Sequence, residues 1–67
     1  MMSRKAKEVL SSLTKQEIEA VKKMNIFGKH AFITERYGNE SERFGISFGL
    51  FPLWVKEVID EIEKEER

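Results

Sequence analysis

The side chains that could carry out catalysis are few in this sequence. The chain of 67 residues has one His, at position 30, a single Asp and no Cys. A hydrolytic triad needs a nucleophile, a base and an orienting carboxylate in mutual contact, and only His30 could serve as the base. A catalytic site would depend on His30 with Glu35 or Tyr37. We predict instead that the protein is not an enzyme, because a lone His usually lies at the surface or in a satisfied core position.

Metal and cofactor sites also lack their usual sequence patterns. The absence of Cys excludes disulfides and cysteine-based metal sites, and the carboxylates are spread along helical segments rather than grouped in one loop. The four Gly residues, at positions 28, 38, 45 and 49, stand singly, whereas a phosphate-binding loop contains several Gly residues close together. We predict no metal and no cofactor.

The charges are unevenly distributed although the formal net charge is zero. Residues 1–30 contain seven Lys or Arg and three Glu, a net charge of +4, whereas residues 31–67 carry a net charge of −4. A basic half of this kind is the electrostatic footprint of a nucleic-acid-binding protein. This alternative function would use Lys5, Lys7, Lys15, Lys22, Lys23 and Lys29.

A DNA-binding helix-turn-helix is not predicted within residues 16–37. Met24 and Asn25 stand where the turn of that motif favours Gly, and the following segment is rich in β-formers. The basic half would therefore contact phosphates without a recognisable DNA-binding motif.

The strongest functional signal is a concentration of apolar residues near the only Pro. Residues 50–55 are all apolar, and they closely follow the apolar positions 44, 46 and 48. The start of a helix turns only about 100° of its circumference toward one core, so six consecutive apolar residues point in every direction. Some of them must then be exposed, and exposed apolar clusters usually mark an interface. The predicted interface residues are Phe44, Phe48, Phe51, Leu53 and Trp54. The alternative is that the N-terminal helices cover this segment from both sides.

Helical patterns occupy both ends of the chain. Residues 3–13 have apolar residues at helical spacing after Ser3, which can cap a helix. Thr14 and Glu17 have the spacing of a capping box and start a second helix, which Gly28 would end. The only Pro then suits the first turn of a final helix over residues 52–66. The apolar stripe of that helix contains Trp54, Val55, Val58, Ile59 and Ile62.

The middle of the chain predicts a β-hairpin. Residues 29–37 are rich in β-formers, residues 38–41 form a turn cluster, and residues 42–49 alternate, with every second residue from 44 to 48 apolar. The first of these segments could instead form a third helix, because Ile33 and Tyr37 lie four residues apart. The predicted fold class is α+β, with the element order α-α-β-β-α.

The length allows one domain, residues 1–67. Its core must be thin, because a domain of about 60 residues buries only about 60% of the surface that the unfolded chain exposes. The N-terminus lacks the apolar stretch of a signal peptide, and the longest apolar run is too short to span a bilayer. We predict a cytoplasmic protein without a membrane partner. Its predicted function is non-enzymatic binding or regulation through the aromatic-apolar interface, as a homodimer and with a larger protein as a further partner; nucleic acid is the alternative partner.

Overall fold

A computed structural model describes residues 2–64, and within this range the chain is helical apart from short connections. Five α-helices and one 3-10 helix follow one another, and no strand is present between residues 2 and 64. The bounds are Arg4–Ser12 (α1), Lys15–Lys22 (α2), Ile26–Tyr37 (α3), Glu40–Gly45 (α4), Ile46–Phe48 (the 3-10 helix) and Leu53–Lys64 (α5). None of these helices combines the length and the apolar character that crossing a bilayer requires.

The core is built around α5, which packs against α1, α2 and α3. One face of α5 buries five side chains at helical spacing: Trp54, Val55, Val58, Ile59 and Ile62. The buried apolar residues opposite them are Ala6, Val9, Leu13, Val21 and Ile33. Among the described residues Thr34 is the one buried polar residue, and its hydroxyl donates a hydrogen bond to the His30 carbonyl oxygen at 2.7 Å. This bond satisfies the hydroxyl group, which would otherwise make its burial unfavourable.

The predicted α+β class and the β-hairpin are wrong. The residues assigned to the hairpin form α3, α4 and the 3-10 helix. Phe44 and Phe48, which lie four residues apart, are exposed, whereas Ile46 between them is half-buried. An alternation of only three apolar residues fits a short strand, but it also fits a helix with apolar i and i+4 positions. The alternative prediction, a third helix that includes residues 29–37, is confirmed.

Two Asn residues start the helices that stand in place of the predicted hairpin. The Asn25 side-chain oxygen accepts a hydrogen bond from the Gly28 amide at 2.7 Å, and the Asn39 side-chain oxygen accepts one from the Glu42 amide at 2.8 Å. The Glu42 carboxylate accepts the Asn39 amide hydrogen at 2.9 Å, which completes a capping box. Gly28 therefore lies in the first turn of α3 and does not end α2.

The helices predicted at the two ends of the chain are confirmed. The Ser3 hydroxyl accepts a hydrogen bond from an amide in the first turn of α1. Thr14 and Glu17 form the predicted capping box of α2, with distances of 3.0 Å and 2.9 Å. α5 begins directly after Pro52 and buries the predicted apolar stripe. Positions 65 and 66 of the predicted final helix lie outside the described residues.

Two glycines delimit a short segment in the middle of the chain. The Gly38 amide donates a hydrogen bond to the Thr34 carbonyl oxygen at 2.8 Å, and a Cβ atom at position 38 would lie only 2.6 Å from that oxygen. Gly49 has a φ angle of 71°, in the left-handed region that favours Gly. Residues 40–48, which we call the α4 segment, contribute no buried residue to the core.

Two glutamates connect helices that are distant in sequence. The Glu17 carboxylate accepts a hydrogen bond from the Tyr37 hydroxyl at 3.1 Å and pairs with Arg36, which ties the start of α2 to the end of α3. The Glu57 carboxylate accepts hydrogen bonds from the Ser3 amide at 3.0 Å and the Ser3 hydroxyl at 2.9 Å. This pair fixes the start of α1 against α5.

A third glutamate holds the α4 segment against the core. One oxygen of the Glu42 carboxylate completes the capping box of α4, and the other accepts a hydrogen bond from Trp54 Nε1 at 3.0 Å. Helices as short as α4 are marginal when isolated in water, because they form few internal hydrogen bonds for the entropy they lose. The bond to Trp54 therefore helps α4 to persist and sets its orientation relative to α5.

Replacing the cap of α3 tests the helical assignment directly. We expect Asn25→Ala to lower the free energy of unfolding by about 1 kcal/mol, because the Gly28 amide loses its acceptor. A hairpin in the same region would place position 25 outside the hairpin strands and predicts no such loss. Urea denaturation followed by circular dichroism measures the change. The control is Gln16→Ala at an exposed position of α2, for which we expect a change within about 0.5 kcal/mol.

The hydrogen bonds of these three glutamate carboxylates make the stability of the fold depend on pH. Hydrogen bonds lower the pKa of Glu17, Glu42 and Glu57 below the ordinary value of 4.5. The largest cause is the amide of the N-cap residue of α2 for Glu17, the Trp54 indole for Glu42, and the amide of the N-cap residue of α1 for Glu57. Because the pKa of each carboxyl group is lower in the folded state, the ionised groups stabilise the fold above pH 4.5. This stabilisation is lost as the pH falls through the folded pKa values.

We therefore expect the melting temperature to be level from about pH 7 to about pH 5 and to fall at lower pH. Glu42→Gln should lower the melting temperature at neutral pH and reduce the further loss on acidification, since one of the three titrating carboxylates is gone. Glu8→Gln is the control, because the exposed Glu8 carboxylate makes no hydrogen bond or ion pair within residues 2–64. An acid-dependent loss in Glu42→Gln equal to that of the wild type would contradict this explanation.

Candidate protein-binding surface

The predicted interface residues lie in three different environments. Phe44, Phe48 and Leu53 are exposed, with 64% to 71% of their surface accessible. Phe51 is half-buried, and Trp54 is buried, with 8% accessible. The first three side chains are available to a partner, whereas the Trp54 ring belongs to the core of the chain itself.

The burial of Trp54 results from contacts with two other parts of the chain. Its indole N–H is bonded to Glu42, and the Lys5 ammonium group of α1 lies 5.1 Å from the centre of the ring. A cation at this distance over an aromatic face is attracted by the quadrupole of the ring. α1 and α4 thus cover Trp54, whereas the alternative prediction expected the two N-terminal helices to cover the apolar segment from both sides.

Phe51 packs against the first turns of α3. Its ring centre lies 5.5 Å from that of Phe27, edge to face at 70°, and 5.1 Å from that of His30. His30 Nδ1 lies 2.8 Å from the Ile26 carbonyl oxygen, and only a protonated Nδ1 can donate to that oxygen. This hydrogen bond orients the imidazole ring against Phe51.

The residues of the alternative catalytic hypothesis make separate contacts. The His30 imidazole bonds to the Ile26 carbonyl group, whereas the Tyr37 hydroxyl bonds to Glu17 on α2. Glu35 is exposed on α3 and makes no hydrogen bond or ion pair within residues 2–64. No group of three or more metal-ligating side chains occurs in this part of the chain.

An exposed apolar surface extends from the start of α3 to the α4 segment. Its exposed members are Phe27, Phe44, Phe48 and Leu50, and its floor is formed by the half-buried Phe51 and Pro52. We call these six residues the apolar patch. The Phe44 and Phe48 ring centres lie 5.4 Å apart. Beside these rings is an open depression of about 390 Å³, with Leu50, Phe51 and Pro52 along its other side.

Part of this surface was missed by the sequence analysis. Phe27 and Ile26 were assigned to the end of the second helix, and they lie in the exposed first turn of α3. The signal that could have located them is Asn25, whose side chain is an N-cap acceptor three residues before Gly28. Leu50 belongs to the predicted apolar run but was not singled out.

The area of the patch is large for a chain of this size. The four exposed members are 51% to 71% accessible. At about 150 Å² for each fully exposed large apolar side chain, the four together present roughly 400 Å² to solvent. The largest apolar patch on a typical monomer is about 300–600 Å², and such patches are often functional.

The lysines proposed to contact nucleic acid also lie in different environments. Lys22 pairs with Glu19 at 3.8 Å, and the mostly buried Lys29 side chain pairs with Glu63 at 2.7 Å. Lys5 lies over the Trp54 ring. The exposed lysines without an ion pair among residues 2–64 are Lys5, Lys7, Lys15 and Lys23.

The connection between α2 and α3 resembles a helix-turn-helix in length alone. Three residues, 23 to 25, join the two helices, so the expectation of a β-rich segment after the turn no longer counts against the motif. However, the exposed residues in the first turn of α3 are Ile26 and Phe27, and Lys29 is paired with Glu63. Reading of DNA bases requires polar or charged side chains at the start of the recognition helix.

No protein-family model matches the chain, and no curated protein and no solved structure is detectably similar to it. The apolar patch and the charged side chains near it are therefore the features from which a function can be inferred.

Proposed function

We propose that this chain is a non-enzymatic binding protein that associates with a second copy of itself through the apolar patch. A larger protein bound at the same surface would be a target that the chain regulates by occlusion. The observation that carries the proposal is the exposure of Phe44, Phe48 and Leu50 around one depression. Aromatic side chains of this kind are enriched among the residues that dominate binding energy at interfaces.

The size of the patch supports association between proteins. A standard interface buries about 800 Å² on each partner. The roughly 400 Å² of exposed apolar side chain in the patch, estimated from the areas of large side chains, would supply about half of that area. Burying it in a dimer also compensates for a thin core, to which the α4 segment contributes no buried residue.

The composition of the patch supports a second copy as the partner. All six residues of the apolar patch are uncharged, so packing the patch on its own copy brings no like charges into contact at its centre. A two-fold interface uses the same surface on both subunits and therefore requires a surface that is compatible with itself. The formal net charge of zero also minimises repulsion between copies.

Nucleic-acid binding is the second candidate function. The observation in its favour is that Lys7, Lys15 and Lys23 are exposed on the N-terminal half, without an ion pair among residues 2–64. Affinity for a DNA or RNA probe would fall steeply with salt, because phosphate contacts release counterions. The absence of any probe shift at low salt would eliminate this candidate.

Removing one exposed ring tests the proposed dimer. We expect the wild type to have about twice the chain mass of 7.9 kDa in light scattering at micromolar concentration. Phe44→Ser should weaken self-association by about tenfold or more, since truncating a central aromatic residue often costs over 1 kcal/mol of binding energy. Added salt should weaken the wild-type dimer far less than it weakens phosphate contacts, because apolar contacts are not screened.

Gln16→Ala is the control, because it removes an exposed side chain of α2 outside the patch. Phe44 is 71% accessible, so Phe44→Ser should leave the unfolding of the monomer nearly unchanged. A wild-type mass of one chain across the whole concentration range would contradict the proposal.

A further inference from the structure

The outward face of the α4 segment combines the patch rings with two opposite charges. Glu40, Arg43, Phe44 and Ser47 are all exposed, and their spacing of three, four and seven residues places them on one side of a helix. Glu42 and Ile46, which the same periodicity places toward the opposite side, are partly buried. The segment therefore presents one acid, one base and an aromatic ring to the solvent.

Neither charge on this face is neutralised within the described chain. Glu40 and Arg43 take part in no ion pair among residues 2–64. Arg43 uses one N–H group to bond the Gly38 carbonyl oxygen at 2.7 Å. A guanidinium group has five N–H donors in a fixed planar arrangement, so the remaining donors of Arg43 are free to bind a carboxylate.

We propose that two copies pack their α4 segments antiparallel about a two-fold axis, so that Glu40 of each copy pairs with the partner's Arg43. This inference rests on the proposed self-association and specifies its geometry. In a two-fold contact, residue i meets residue j while j meets i, so one acid and one base on the same face form two equivalent ion pairs. The Phe44 ring, one position beyond Arg43, then lies beside each pair on the side away from the two-fold axis, level with the partner's Asn39.

The helix geometry permits this arrangement. Glu40 and Arg43 are separated by about 4.5 Å along the helix axis, because each residue of an α-helix rises about 1.5 Å. In an antiparallel pair centred between these two positions, each Glu40 lies level with the partner's Arg43. Interhelical distances of about 8–10 Å are spanned by the long Arg side chain.

A second copy explains this face better than an unrelated protein. An acid and a base three residues apart, with Phe44 beside the base, pair with the same residues of a second copy when that copy is reversed, and no additional surface has to be assumed. A parallel arrangement would instead place Glu40 against the partner's Glu40, which is unfavourable. The charges therefore set the direction of packing, while the Phe44 ring beside each pair adds apolar area to the contact.

Charge reversal tests the pairing separately from the apolar contact. We expect Glu40→Arg and Arg43→Glu each to weaken the dimer about tenfold, since each change replaces two attractive pairs by two repulsive ones. The double variant, Glu40→Arg with Arg43→Glu, should recover the wild-type dissociation constant to within about threefold. An equimolar mixture of the two single variants should form heterodimers more tightly than either variant associates alone. Sedimentation equilibrium at low salt measures all four affinities.

Recovery of association in the double variant and in the mixture also distinguishes charge pairing from an effect on folding. Glu40 lies in the first turn of α4, where a positive charge is unfavourable, and Arg43 bonds the Gly38 carbonyl oxygen, so both single variants lose some stability. Such losses would persist in the double variant and in the mixture, whereas charge pairing restores association. Single variants that dimerise like the wild type, or a double variant and mixture that stay weak, would overturn the antiparallel pairing. The proposed self-association would still stand in both cases if Phe44→Ser weakens the dimer.

Discussion

The carboxylate of Glu42 connects local helix formation to the tertiary structure. One of its oxygens accepts the Asn39 amide in the capping box of α4, and the other accepts the Trp54 indole N–H from α5. This is the one hydrogen bond between the α4 segment and α5 among residues 2–64, and the segment also packs against α3 without burying a residue of its own. The bond and the packing on α3 together orient the segment so that Phe44 and Phe48 are directed toward solvent.

Two other glutamate carboxylates likewise connect short helices to their neighbours. Glu17 caps α2 and binds Tyr37 of α3, and Glu57 of α5 binds the N-cap residue of α1. Helices of 6 to 9 residues have little stability alone, because nucleation costs more than a few hydrogen bonds return. Carboxylates that accept hydrogen bonds from amides and hydroxyls at helix starts therefore add to the stability of the fold. Their contribution matters because a chain of this length can bury only a small core.

The sequence predicts the parts of the fold that local signals determine. The caps at Ser3 and at Thr14 and the apolar stripe of α5 were identified because each depends on residues within one or two turns. Asn25 and Asn39 were missed as N-caps because Asn is equally typical of turns, and the choice is decided by contacts with distant residues. For the candidate site, the apolar excess near Pro52 was visible in the sequence. Which aromatic rings remain exposed was not visible, because Trp54 is covered by Glu42 and Lys5, which lie 12 and 49 positions away in the sequence.

The interaction between Glu42 and Trp54 can be measured directly with a double-mutant cycle. The free energy of unfolding would be determined for the wild type, Glu42→Ala, Trp54→Phe and the double variant. We predict a coupling of about 1 kcal/mol, the value for a hydrogen bond to a charged group reduced by its partial exposure to solvent. Additive effects of the two substitutions, with no coupling, would contradict the claim that this bond fixes the α4 segment to the core.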